Sequence, residues 1–178
     1  SEICWGGGAR DGVIVYHTGR LQSEDQAVAL LDLIRAYGDA PTAVNKLKVY
    51  WLILQNGTLG LIDPFIKVLR NATGINQQRL YDLVRSFATE SPNREPVKFG
   101  IALLGLFRRP EDKDLFLLLG CHDEFTLYCA VALANSEADA EQDLWQMAKS
   151  VHGWGRIHAV GHLAATENPE IKDWLLRE

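Results

Sequence analysis

The chain has 178 residues, 47% of them apolar and 23% charged, an ordinary globular composition that allows it to bury a core of its own. Its net charge of −5 disfavours general nucleic-acid binding, which draws most of its affinity from neutralising phosphates, and Arg108-Arg109 alone makes no basic face. No run approaches 18 uninterrupted apolar residues, so a helical membrane span is excluded, and the start lacks the basic stretch and long apolar run of a secretory signal.

Residues 1–22 differ from the rest and read as an irregular arm. Gly6-Gly7-Gly8 is a turn, and Val13-Ile14-Val15-Tyr16, bounded by Gly12 and Gly19, predicts one short strand or half a β-hairpin. No Gly-Lys-Ser or Gly-Lys-Thr follows the glycines, so they do not form a phosphate loop.

From Ser23 the period becomes helical. Ser23 caps a helix whose apolar positions are Ala27, Leu30, Leu31 and Ile34, bounded by Gly38 and Pro41. A second helix has Pro41 in its first turn and a stripe of Val44, Leu47, Tyr50, Trp51 and Leu54, which places Trp51 in the core. Asn56-Gly57 ends it. Pro64 predicts that the next helix starts near Asp63, because proline in a helix interior costs about 3 kcal/mol. Gln77 to Ala88 forms another, with Leu80, Leu83, Val84 and Phe87 on one face, and residues 91–96 are a break.

After the break the chain becomes regular. Three helix pairs follow: 97–107 with 112–119, 124–134 with 137–148, and 154–164 with 169–176. Lys98, Ile101 and Gly105 correspond to Thr126, Cys129 and Leu133, then to Arg156, Ala159 and Leu163, at spacings of 28 and 30 residues. Such pairs cannot bury their apolar faces alone, and stacking supplies the core. Residues 23–178 therefore read as one helical-repeat domain, divergent over 23–90 and regular over 97–178. Trp174, Leu175 and Leu176 place large apolar residues at the end of the last pair, a surface for a neighbouring element or for self-association.

Over about residues 97–178 this pattern resembles the HEAT-like repeat superfamily, in particular the short-repeat branch first noticed in phycobilisome lyases. There a first helix opens with Val-Arg, with Ala three residues after the Arg and Leu four later. Arg156, Ala159 and Leu163 match. Val97, Lys98 and Ile101 match in part, Gly105 replaces the Leu, and Thr126 replaces the basic residue while Leu133 keeps the leucine. The resemblance implies an all-α, right-handed α-α superhelix of the HEAT/armadillo kind. It also implies that Arg156 pairs with Asp123 or Glu124 of the neighbouring repeat, a pair that fixes repeat angle more than it stabilises.

Solenoids of this kind usually bind, so the chain reads as a non-enzymatic protein-binding or scaffold module. The alternatives are a self-association module of a larger protein and a HEAT-like enzyme acting on nucleic acid or a chromophore-protein adduct. Trp154, between two glycines at a helix start, forms the expected partner contact with Arg156, His152 and Trp145. The partner is another protein or an adjoining region of a larger chain, with a homo-oligomer through the C-terminal end as a further expectation. Most acidic residues sit at helix starts, where the macrodipole accounts for them, so no acid-base pair stands out and no cofactor is expected. His158 and His162 share a helix face, with His152, His122 and Cys121 nearby. No HExxH and no carboxylate at ligand spacing accompanies them, so a metal site remains the weaker alternative. Three cysteines without a CxxC pair fit a reducing, cytoplasmic setting, with Cys121 and Cys129 as small buried fillers. The sequons at Asn56 and Asn71 matter only in a secreted chain.

Overall fold

The computed structural model describes residues 6–15, 24–135 and 140–177. Cys4, Trp5, Tyr16, Gly19, the Ser23 cap and the helix start at Glu137 lie outside the described residues. All regular structure among the described residues is helical, and the chain divides into two compact units.

One unit is Gly19–Leu104. It contains α2 (Glu24–Asp39), α3 (Ala43–Asn56), α4 (Thr58–Arg70), α5 (Gln77–Glu90) and most of α6 (Arg94–Phe107). α2 packs against α3, α4 and α5, and buries Ala27, Leu30, Leu31 and Ile34, the predicted positions. Local signals set most boundaries. Thr42 caps α3 by accepting the Asn45 N–H at 3.2 Å, which leaves Pro41 outside the helix and not in its first turn. Asn76 caps α5 by accepting the Arg79 N–H at 3.0 Å.

Two further expectations fail in this unit. α4 starts at Thr58, not near Asp63, and carries Pro64 in its interior. Gly57 takes φ +72 to end α3 and open α4 at once, and Glu95 pins the first turn. The Thr58 N–H donates to Glu95 Oε2 at 2.7 Å and the Thr58 hydroxyl to the Glu95 carbonyl at 2.6 Å. With Leu61, Ile62 and Phe65 buried behind that turn, tertiary contacts offset the proline's local cost. The second failure is α3, whose buried positions are Val49 and Ile53. Its predicted stripe faces out, with Val44 61% exposed, Leu47 53% and Trp51 54%. α3 carries two apolar stripes, and the longer one is not the core face.

The other unit is Ser1–Thr18 with Gly105–Glu178. It contains α1 (Ala9–Val13), a 3-10 turn (Pro110–Asp112), α7 (Lys113–Gly120), α8 (Asp123–Ala134), α9 (Ala140–Ser150), α10 (Gly153–Leu163) and α11 (Pro169–Arg177). Successive helices pack as hairpins, α7 on α8, α8 on α9 and α9 on α10, while α10 also lies directly on α8. Such next-neighbour contacts suggest a solenoid. The repeated positions keep one role along the chain: Ile101, Cys129 and Ala159 are fully buried, and Leu133 and Leu163 nearly so. Cys121, expected as a buried filler, is exposed because it follows the last turn of α7. The run Val13–Val15, expected as a strand, is helical, because the arm docks on α8 and α10 where no strand edge is offered.

Candidate functional site

The outward stripe of α3 borders a groove of about 570 Å³, whose opposite wall is the last turn of α5 and the 91–93 turn. Leu47 and Trp51 line it, and Val44 continues the stripe one turn earlier. Tyr50 forms the floor, edge-on to Phe87 (5.8 Å between centroids, 71°) and to Trp51 (6.3 Å, 85°). Its hydroxyl lies 3.3 Å from Ser91 Oγ and accepts a hydrogen bond from Asn93 Nδ2 at 2.6 Å. The 91–93 turn is fixed in turn by the Asn93 N–H donating to Ser91 Oγ at 3.2 Å. Lys46 reaches Glu90 at 3.8 Å across the rim and sits 5.9 Å from the Phe87 ring centroid. The groove is thus an aromatic and aliphatic trough edged by a hydroxyl, an amide and one exposed ion pair. It offers desolvation and shape to a ligand, with a few polar groups to orient it.

The residues expected to form a site lie in the other unit, where the structure brings some together and separates others. Trp154 is half-buried against α1, since a Cβ at Gly12 would run into its indole. Glu124 Oε2 accepts the Gly8 N–H at 3.0 Å, and Asp123 lies beside Gly7 and Gly8. His158 is buried, with its ring 6.2 Å from that of Trp154. These four residues therefore gather around the arm. Arg156 donates its Nε–H to the Val151 carbonyl at 2.9 Å, and its guanidinium stands 5.8 Å from the Trp174 ring centroid. Trp145 lies on α9 under Lys149, whose Nζ is 4.0 Å from the ring centroid. His152 is exposed before α10, and its carbonyl accepts the Arg156 N–H at 3.2 Å. His162 lies on the exposed side of α10. Among the described residues no group of three His, Cys, Asp or Glu side chains is placed to hold a metal.

Two electrostatic consequences follow from burial. The Cys129 thiol is pushed far above its ordinary value, so it stays protonated. Burial also holds His158 below its ordinary value of 6.5, and His162 adds to this, while the Asp11 carboxylate and a hydrogen bond to the Gly8 backbone oppose it without reversing it. The folded unit therefore keeps a neutral imidazole at pH values where the unfolded chain has bound a proton. Stability from this residue is intact above about 6.5 and is lost as pH falls below it. The urea midpoint should drop between pH 7.5 and 5.5, and His158→Gln should flatten much of that slope. An unchanged slope in the variant would remove His158 as its cause.

Sequence reasoning missed both the groove and the arm contacts. The signal for the groove was the second stripe of α3, Val49 with Ile53, which left Val44, Leu47 and Trp51 unspent. The signal for the arm was Gly8 and Gly12, four residues apart and therefore on one helix face. Asp11 gave no signal, since its partner Tyr128 lies 117 residues away. No protein-family model matches the chain, and no curated protein or solved structure does either.

Proposed function

We propose that the chain is a non-enzymatic scaffold module that binds another protein, taking an amphipathic helix of that partner along α3. The observation that carries this is the exposure of Val44, Leu47 and Trp51 beside the groove. With Leu54 these positions are spaced 3, 4 and 3, the seam by which one helix receives another. Apolar residues in that number on one exposed helix face mark an association surface. The charge selects the occupant further. α3 carries Lys46 and Lys48 and no acidic residue, although the whole chain has a net charge of −5. An acidic helix with a leucine stripe complements it, whereas a second copy would set lysines against lysines.

Within this proposal the stacked hairpins belong to a right-handed HEAT-like superhelix, the resemblance carried by Arg156, Ala159 and Leu163. A cytoplasmic adaptor of this kind needs no cofactor.

The test uses the full chain and two labelled synthetic helices about three heptads long, both with Leu at the seam positions. One is flanked by Glu and the other by Lys. By fluorescence anisotropy the Glu-flanked helix should bind, and Leu47→Asp should weaken it by at least about tenfold, the loss of one central apolar contact. The same change at Leu118, an exposed leucine of the other unit, should leave binding intact. Equal binding of both helices, or of neither, overturns the proposal. A concentration-dependent dimer that Leu47→Asp abolishes in sedimentation velocity would instead assign the stripe to a second copy.

A further inference from the structure

α1 has five residues, far fewer than a helix needs to persist in water, so its form is imposed by what it docks on. Four contacts fix it. Gly8 adopts φ +68 and turns its N–H to Glu124 Oε2, and a Cβ there would come 2.5 Å from the Asp123 carbonyl oxygen. Asp11 is buried, and its Oδ2 accepts the Tyr128 hydroxyl proton at 2.9 Å. His158 faces the same carboxylate and hydrogen-bonds the Gly8 backbone. Gly12 lets the Trp154 indole lie flush on the helix. Each contact reads a chemical feature of the arm: glycine, carboxylate, glycine, at spacings of three and one.

The receiving face is built by two helices that also touch each other. α8 and α10 pack directly on each other, so closely that a Cβ at Gly155 would come 2.6 Å from Asp123 Oδ1 and 2.9 Å from Thr126 Oγ1. The arm joins this framework across sequence separations of 116 and 117 residues, so no local connection holds it there. A buried Asp and a buried His are costly for a purely structural contact, which apolar residues would fill as well. They are the groups expected of a face that discriminates what it binds.

We propose that the α8–α10 face is a peptide socket for a Gly-Xaa-Xaa-Asp-Gly turn, filled in cis by α1, and that a protein segment of the same chemistry enters it by displacing the arm. Displacement bares Trp154, the aromatic anchor that the arm covers. The few hydrogen bonds and one short turn that hold α1 are the modest kind of contact that opens locally while the rest of a unit stays folded.

The probe is a labelled synthetic peptide of residues 6–15, and the protein is the full chain carrying Gly12→Leu, which the Trp154 indole excludes from the socket. Anisotropy should show saturable binding at least about ten times tighter than to the wild-type chain, whose socket is occupied. The peptide carrying Asp11→Ala should bind at least about ten times more weakly, and Tyr128→Phe in the protein should weaken the parent peptide while leaving the helical circular dichroism unchanged. Absence of peptide binding to a folded Gly12→Leu chain overturns the proposal. If that variant does not fold, the same titration on the full chain carrying Asp11→Ala decides it, and absence of binding there overturns it equally.

Discussion

Glu95→Ala is expected to lower the unfolding free energy by about 3–5 kcal/mol, the range for taking one partner from a buried charge pair. Glu95 serves two buried groups. Its Oε2 accepts the Thr58 N–H that opens α4, and its Oε1 lies 3.5 Å from Lys98 Nζ, whose side chain is 1% exposed against 13% for Glu95. Alanine removes an anion beside a buried ammonium and the acceptor for a backbone N–H together. The Thr58 hydroxyl bond to the Glu95 carbonyl survives, so α4 keeps part of its anchor. Lys98→Met should cost far less, because the carboxylate it leaves still receives the Thr58 N–H and lies nearer to solvent. Glu95→Gln with Lys98→Met should return to within about 1 kcal/mol of wild type, since it removes both charges and keeps the shape. Urea midpoints of the three variants decide this, and a Glu95→Ala loss below about 1 kcal/mol would sink the account. Glu95 is also the second residue of α6, just after the turn that walls the α3 groove. The Glu-flanked helix should therefore bind Glu95→Ala more weakly as well.

How much of this was legible in the sequence depends on how local each signal is. Helices set by caps and short periods were readable: α2 with its four buried positions, α5 with Leu80, Leu83, Val84 and Phe87, and α11 with Pro169 in its first turn. The spacing of 28 and 30 residues was readable too, because Ile101, Cys129 and Ala159 meet the same packing demand. What failed was decided by partners distant in the chain. α4 runs through Pro64 because Glu95 holds Thr58 from 37 residues away. Trp51 faces out because the next helix layer reaches only Val49 and Ile53, and periodicity cannot say which of two stripes is met. The β-branched run after Gly12 became helical for the same kind of reason, since its surroundings are α8 and α10 and not another strand. Trp154, expected beside Arg156, His152 and Trp145, and Asp123 and Glu124, expected beside Arg156, all lie against the arm. Nothing near them in sequence names Gly8 or Asp11 as what they meet.

Gly100→Ala tests a close helix approach in the Gly19–Leu104 unit, and two effects of opposite sign compete. In an ordinary helix interior the change stabilises by about 1 kcal/mol, because glycine loses more backbone entropy on folding. At Gly100 the added Cβ would come 2.5 Å from the Val84 carbonyl oxygen, 2.8 Å from the Ala88 nitrogen and 3.1 Å from the Ala88 Cβ. Two of those atoms are backbone of α5, which cannot swing aside as a flexible side chain can. The helix must move away, and overpacking of this kind costs about 1–3 kcal/mol, with the backbone clash placing Gly100 at the upper end. The clash wins, and the net change is a loss of about 1–2 kcal/mol. Gly38→Ala is the matched control: its Cβ meets only Asn76 Cβ at 3.8 Å, an ordinary contact, so that variant should be neutral or slightly more stable. Opposite signs for the two glycines in thermal or urea unfolding would establish the close approach, and equal signs would refute it. α5 also carries Phe87 and Glu90 into the wall of the α3 groove. A helix displaced from α6 shifts that wall, so Gly100→Ala should weaken the Glu-flanked helix while Gly38→Ala leaves it unchanged.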